Sequence, residues 1–358
     1  MRVTRILIVS LFFIVVFSAS AFAGWTVTYL QPASGTASGA YNVSGNQQVG
    51  YSIISGADHA SLWSGTAGSW TDLNPAGSTM SYARGVSGGR QVGLAYIGSN
   101  WHAGIWNGTA ASWTDLNPDG SSWSEGWGIS GGQQVGLARF GSQWHAGMWS
   151  GTAASWVDLN PEGITRSEAY GISDSRQVGS VYISGHPHAS MWSGTAASWV
   201  DLHPAGSTDS RAYEVSVGQQ VGAATIGGNI HAGLWNGTPG SWVDLNPGGY
   251  ASSCAYGVSN GRQVGQAFLG GMYHAGIWNG TADSFLDLHS LLSANYVYSA
   301  AAGIEVTDSD IWIVGAARTS LTGPDEAVLW HNVIPEPSSL LILGSGVLAL
   351  AGFVRRKR

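Results

Sequence analysis

Between residues 24 and 333 apolar and polar residues alternate in short runs, and each run ends at Gly-Gly, Gly-Ser, Asn-Gly or Asn-Pro. Period-two alternation bounded by turn residues predicts strands, and no stretch of the body carries helical periodicity over a useful length. One stretch shows the pattern in full. Tyr82 to Ser87 predicts a strand A and Gly88-Gly89 a turn; Gln91 to Ile97 predicts strand B and Gly98-Ser99 a second turn. Trp101 to Trp106 predicts strand C, Asn107-Gly108 a tight hairpin, and Ser112 to Leu116 strand D. Asn117-Pro118-Asp119-Gly120 then breaks the chain.

The same unit recurs every 43 residues. Gln-Val-Gly begins at Gln48, Gln91, Gln134, Gln177, Gln220 and Gln263, and His-Ala begins at His59, His102, His145, His188, His231 and His274. Four residues after each His stands a Trp: Trp63, Trp106, Trp149, Trp192, Trp235 and Trp278. Asp-Leu follows at Asp72, Asp115, Asp158, Asp201, Asp244 and Asp287. A degenerate seventh copy has Ile313-Val314-Gly315 for Gln-Val-Gly and Glu326-Ala327-Val328-Leu329-Trp330 for the His-Ala segment.

Four strands in about 43 residues is the size of a propeller blade. A solenoid is the competing arrangement, but it needs capping repeats at both ends. Here the chain after residue 24 opens with Trp25-Thr26-Val27-Thr28-Tyr29-Leu30, which resembles a strand D, while the seventh copy stops after strand C. The first strand can therefore complete the last blade. The expected fold is all-β, a seven-bladed β-propeller of four-stranded blades over residues 24–333.

The two ends do not follow the repeat. Arg2 and Arg5 precede an apolar run from Ile6 to Phe17, and Ala21 and Ala23 offer the small residues of a cleavage site. Residues 1–23 thus predict a secretory signal peptide. At the other end Pro335-Glu336-Pro337 is followed by an uncharged run from Ser338 to Val354, then Arg355-Arg356-Lys357-Arg358. That run is just long enough to span a bilayer, with the basic cluster held on the cytoplasmic side. The order Pro335-Glu336-Pro337, apolar helix and basic tail resembles the PEP-CTERM sorting signal over residues 334–358. The resemblance implies export by the Sec machinery, processing by an exosortase near the motif, and a resting place at the cell surface or in an extracellular, biofilm-type matrix. The repeat itself resembles the HAF family of extracellular repeats, with Gly or Ser in place of Phe, as in His102-Ala103-Gly104 and His59-Ala60-Ser61. That resemblance implies no activity.

Charge narrows the partners. The body, residues 24–333, holds eight Arg, no Lys and 20 acidic residues, a net charge of −12. Nucleic-acid binding wants a basic face, so no nucleic-acid partner is expected. The single cysteine, Cys254, leaves no intramolecular disulfide.

Candidate chemistry is sparse. The six repeated His invite a metal reading, but one per blade spreads them around a ring, and a metal needs three or four ligands on one ion. We expect no metal and no cofactor; each His should bond neighbouring backbone, each Trp should pack between blades, and each Asp should cap turn amides. Odd residues in repeated slots are the better clue. The slot entering strand A runs Gly39, Tyr82, Glu125, Glu168, Arg211 and Cys254. With its neighbours it nominates Trp123, Glu125, Trp127, Arg166, Glu168 and Arg211 as a ligand-binding rim on the D–A loops, with aromatic faces for sugar rings and charges for hydroxyls. No catalytic residue is assigned. The expected function is a non-catalytic binding or structural module, with exopolysaccharide as a candidate ligand. The alternatives are a secreted polysaccharide lyase or hydrolase using Glu125 and Glu168, and a self-associating coat protein.

Overall fold

The computed structural model describes residues 24–334. The signal peptide with Ala21 and Ala23, and the sorting segment with Pro335, Glu336, Pro337 and its apolar run, lie outside the described residues. Within them the chain forms seven antiparallel sheets of four strands, in the order A-B-C-D in blades 1 to 6. Neighbouring A strands pack on one another around the whole ring and so line its axis.

Blade 2 consists of strand A Ser78–Ser87, strand B Arg90–Ile97, strand C Asn100–Trp106 and strand D Thr114–Asp115. Strand A starts earlier than Tyr82, and strand D is shorter than the predicted Ser112 to Leu116. Of the residues missing from D, Ser112 ends a 3₁₀ turn, Ala110–Ser112, and Trp113 follows it, so a connection over residues 107–113 replaces the tight hairpin expected at Asn107-Gly108. Ser112 Oγ accepts from Asn107 N–H at 2.8 Å and donates to Thr109 O at 2.6 Å, so the turn takes up residues that would otherwise extend the sheet. The two-residue D strands leave only short outer edges, which limits edge-to-edge pairing.

Blade 7 is composite. Trp25–Tyr29 pairs antiparallel with Glu326–Val333, Val27 opposite Trp330, and Leu30 N–H donates to Ala327 O at 2.8 Å. The N-terminal strand therefore supplies strand D of the last blade and closes the ring.

The repeated residues hold blade to blade. Trp106 is buried against Val49, Ala60, Leu62 and Leu73 of blade 1 and Ala83 and Val86 of its own blade. Gln91, fully buried, accepts from Gly108 N–H at 2.8 Å and donates to Gly89 O at 2.8 Å, tying two turns together. Gly93 must lack a side chain, because a Cβ there would sit 1.9 Å from Tyr82 O. Between blades, Ser124 Oγ accepts from Ala103 N–H at 2.9 Å and donates to Asn117 Oδ1 at 2.7 Å. The expectation for His is corrected: His102 Nδ1 bonds the Asp115 carboxylate, not backbone, at 2.7 Å. The capping role of Asp holds beside it, since Asp115 Oδ1 accepts from Asn117 N–H at 2.7 Å. The Gly-or-Ser position after His-Ala also has a cause. Trp113 lies flat over Gly104, where a Cβ would meet its ring at 2.1 Å; where Ser61 stands instead, Trp70 Nε1 donates to its hydroxyl at 2.9 Å.

Candidate functional site

Every strand A carries a β-bulge at the same place. The register slips between Ala40 and Asn42, Ala83 and Gly85, Gly126 and Gly128, Ala169 and Gly171, Ala212 and Glu214, Ala255 and Gly257, and Ala301 and Gly303. A bulge re-aims one side chain and reverses the alternation after it. Ala83 and Val86, an odd number apart, therefore both face the core, and the residue left between, Arg84, faces the axis. The bulged residues are Tyr41, Arg84, Trp127, Tyr170, Tyr213, Tyr256 and Ala302, and all seven line one axial cavity of 460 Å³. That volume is in the range of small-molecule sites.

The wall of this cavity is an aromatic arc. Trp127 and Tyr170 lie 5.6 Å apart edge to face, Tyr170 and Tyr213 5.6 Å, and Tyr213 and Tyr256 5.5 Å between ring centroids. Burial raises the hydroxyl pKa of Tyr41, Tyr170, Tyr213 and Tyr256, so all four stay neutral donors. Arg84 interrupts the arc. Its guanidinium stands 4.5 Å from the Trp127 ring centroid, 4.7 Å from Tyr41 and 5.3 Å from Tyr82. Its Nε is buried without a hydrogen-bond partner, as is Trp127 Nε1. Ala302 leaves a gap in the seventh place.

The floor of the cavity is Glu214. Its slot is Gly in five blades, Gly85, Gly128, Gly171, Gly257 and Gly303, and Asn42 in blade 1. The Glu214 side chain lies over Gly171 of the preceding blade. Burial pushes its carboxyl up to about 7, against the pull of the Val215 N–H that donates to Oε1 at 3.0 Å. Below it a second chamber is ringed by Ser44, Ser87, Ser130, Ser173, Ser216 and Ser259, with Glu305 in the seventh place. Glu214, with Asn42 and Ala302, lines both chambers and so stands where the aromatic half of the axis meets the hydroxyl half.

The nominated rim falls into two groups. Trp127 and Arg211 line the axial cavity. Trp123, Glu125, Arg166 and Glu168 lie further toward the D–A end and pair among themselves. Trp123 Nε1 donates to Glu125 Oε1 at 2.9 Å. Arg166 donates to Glu168 Oε1 from Nε at 2.9 Å and Nη2 at 2.7 Å, and Tyr170 donates to Glu168 Oε2. Glu168 is 8 % exposed, so both its oxygens are engaged in a nearly closed site. The D–A loop assignment needs correction: apart from Arg166, these residues stand on strand A itself, Glu125 and Glu168 in the slot expected to enter it and Trp123 because strand A of blade 3 begins earlier than the turn pattern indicated. Around them an aromatic run crosses blades 1 to 3 through Tyr51, Tyr82, Trp101, Trp123 and Trp144, with centroid spacings of 5.7 to 6.3 Å.

Sequence reasoning missed Tyr41, Arg84, Tyr170, Tyr213, Tyr256 and Glu214. The signal was present: the slot-by-slot comparison that nominated Glu125 and Arg211, moved along by two and three residues, returns the aromatic slot and the odd Glu. Cys254, behind this wall, is buried, and burial pushes its thiol up to about 12.

Comparison with known proteins bears on the tail and the fold. The PEP-CTERM protein-sorting motif matches residues 333–358. No curated protein matches the chain. Among solved structures the chain resembles an acylaminoacyl peptidase from Pyrococcus horikoshii at 9% identity and a TM-score of 0.54, covering 88% of this chain and 55% of that one. It resembles a puromycin hydrolase S511A mutant complexed with PGG at 10% identity and a TM-score of 0.54, covering 83% and 56%. The chain thus spans little more than half the length of these two proteins. It also resembles the β-propeller domain of the trilobed protease from Pyrococcus furiosus at 10% identity and a TM-score of 0.53, covering 83% and 94%. That domain has an open velcro topology, whereas here Trp25–Tyr29 closes the ring. Identities near 10% make these likenesses of fold alone. What the tail adds is a destination: the chain carries a PEP-CTERM sorting motif, which implies export, an exosortase as processing partner and sorting to the cell surface.

Proposed function

We propose that this protein is a cell-surface binding module whose propeller takes a segment of extracellular polysaccharide at the axial cavity without transforming it. The observation that carries this reading is the aromatic arc itself. Seven aligned bulges turn one residue per blade toward the axis, and five of the seven are Tyr or Trp. Scaffold alone gives no reason to fill an axial cavity with aromatic rings, whereas pyranose C–H faces stack on them and sugar hydroxyls bond the Tyr hydroxyls. The sorting motif supports a surface setting in which such ligands abound, and the resemblance of the repeat to extracellular HAF repeats agrees with it. Non-catalytic action is supported by the engagement of Glu168 with Arg166 and Tyr170, which leaves no free pair of carboxylates at the rim.

The test is binding of the full chain, in detergent, to a panel of bacterial exopolysaccharides and short glycans, with the Trp123→Ala/Trp127→Ala double variant alongside. Binding that the double variant loses supports the reading. Absence of binding to every glycan sinks it and favours a self-associating coat protein. Release of shortened or unsaturated products would instead favour the lyase or hydrolase alternative.

A further inference from the structure

The body holds eight arginines, and they are not alike. Arg166 is paired with Glu168 and Arg318 with Asp325, while Arg211 donates to Tyr182 Oη at 3.5 Å. Arg84 makes no hydrogen bond or ion pair among the described residues; Arg139, over the Trp144 ring, shares its buried unpartnered Nε, but of the two, Arg84 lines the axial cavity. It is held only by ring faces, those of Trp127, Tyr41 and Tyr82. A guanidinium carries five N–H donors in a planar fork that matches a carboxylate. Stacking on aromatic rings fixes the plane of the fork without using those donors. Nε is buried, so the donors left for a ligand are those of the two Nη atoms, on a residue lining a cavity whose other walls include Tyr170, Tyr213 and Tyr256.

Across the axis, three blades away, stands Glu214, the only acidic side chain among the described residues that line this cavity. The Arg84 side of the cavity is cationic with unused donors, the opposite blade brings the Glu214 carboxyl and, on the same strand, Arg211, and the connecting wall is aromatic.

From this arrangement we infer that the axial cavity is a uronic-acid site: Arg84 takes the ligand carboxylate as a bidentate partner, Trp127 and the Tyr arc stack on the pyranose ring, and the Glu214 carboxyl bonds a hydroxyl at the far end. The inference rests on the glycan-binding reading above and specifies its ligand. Phosphate and sulfate fit less well, because the cavity offers an aromatic wall and its two guanidinium groups, Arg84 and Arg211, stand three blades apart rather than clustered. The net charge of −12 disfavours a dense polyanion, so the site suits a single carboxylate, at a chain end or sparsely spaced along an otherwise neutral polysaccharide.

Glu214 adds a pH dependence with a definite sign. The other titratable groups lining the two chambers that Glu214 faces are Arg84, Arg211 and tyrosines held neutral by burial in the upper one, and Glu305 in the lower one. An ionised Glu214 repels a bound carboxylate and a protonated one does not, so affinity should fall as pH rises through about 7.

The experiment is calorimetric titration of the full chain in detergent with D-glucuronate, D-glucuronamide and D-glucose, at pH 5.5 and 8, for wild type, Arg84→Gln, Arg84→Lys and Glu214→Gln. Thermal unfolding of each variant serves as the folding control. We expect glucuronate to bind at least tenfold more tightly than its amide, a charged hydrogen-bond pair exceeding a neutral one by about that factor. Arg84→Gln should erase that preference, Arg84→Lys should keep part of it, and Glu214→Gln should remove the pH dependence. Equal binding of glucuronate and glucose, or a preference that survives in folded Arg84→Gln, overturns the uronate assignment while leaving the glycan-binding reading intact. No sugar bound, together with no polysaccharide bound in the panel above, overturns both. A C-terminal peptide carboxylate that outcompetes glucuronate overturns the sugar class and keeps only Arg84 as an anion site.

Discussion

His102 Nδ1 lies 2.7 Å from Asp115 Oδ2, thirteen residues further along, and joins strand C of its blade to strand D. The same pair recurs as His59–Asp72, His145–Asp158, His188–Asp201, His231–Asp244 and His274–Asp287. Strand D is only two residues long and has few ladder bonds of its own. The repeated His thus works as a clamp on a short edge strand. The Asp side chain is 43% exposed, so solvent screens the pair and its worth is about 1 kcal/mol or less. His102→Ala is expected to lower Tm by a few degrees at most, without affecting ligand binding. A metal that co-purifies with the wild type and is lost from His102→Ala would overturn the clamp.

Trp106 carries far more. It fills the gap between blades 1 and 2 at 1% exposure. Trp106→Ala is expected to cost about 3–5 kcal/mol, as for other large buried aromatics. Denaturant unfolding checks this, and a loss below 1 kcal/mol would mean that the blades pack independently.

Removal of residues 24–30 should open the ring. Leu30 is fully buried, and Val27 pairs with Trp330 on the edge of blade 7. Without them strand C of that blade becomes a free edge, and such edges pair with other chains. We expect concentration-dependent association by light scattering and a loss of at least ~3 kcal/mol of stability. A truncated chain that stays monomeric with unchanged Tm would mean that the closing strand is dispensable.

Two groups of groups set stability against pH with opposite signs. Glu214 has its pKa raised from 4.5 to about 7 by burial. Below 4.5 it is protonated in both states and costs nothing. As pH rises toward 7 the unfolded chain releases this proton first, and stability falls. The loss at pH 8 is on the order of 1–3 kcal/mol. Glu214→Gln should therefore raise Tm at pH 8 and hardly change it at pH 4.5; an equal gain at both would remove ionisation as the cause.

His203 and His289 act in the other direction. They replace the turn Asn of other blades, and each stacks on a repeated His, at 3.9 Å from His188 and 4.2 Å from His274. Burial, then the neighbouring His, lowers both pKa values. A lowered histidine costs stability once pH drops below its unfolded value near 6.5, because the unfolded chain takes the proton first. His203→Asn keeps an amide in the place that Asn117 fills, bonded to Ser124, in blade 2. It should raise Tm at pH 5 relative to wild type and change little at pH 8, which a pH series of melts will show.

Much of this architecture was legible in the chain. The 43-residue period, the four strands per period and the unmatched strand at Trp25 specified a closed seven-bladed ring, because each rests on local alternation and turn chemistry that every repeat states again. The inter-blade role of Trp106 followed from the same repetition. Three things needed the tertiary structure. The partner of His102 lies on another strand, and sequence spacing does not show which strands meet. Trp123 was assigned to a loop because strand A was read as starting at the Tyr82 slot, which is Glu125 in blade 3, whereas there it starts at Trp123. Above all, the axial site depends on the bulge. Strict alternation assigns residues 82, 84 and 86 to one face, but the extra residue sends Val86 to the core with Ala83 and leaves Arg84 on the axis. A bulge is a product of strand pairing, so the sequence determined which residues are odd, and only the paired and closed sheets decided that Arg84 and Glu214 face one cavity.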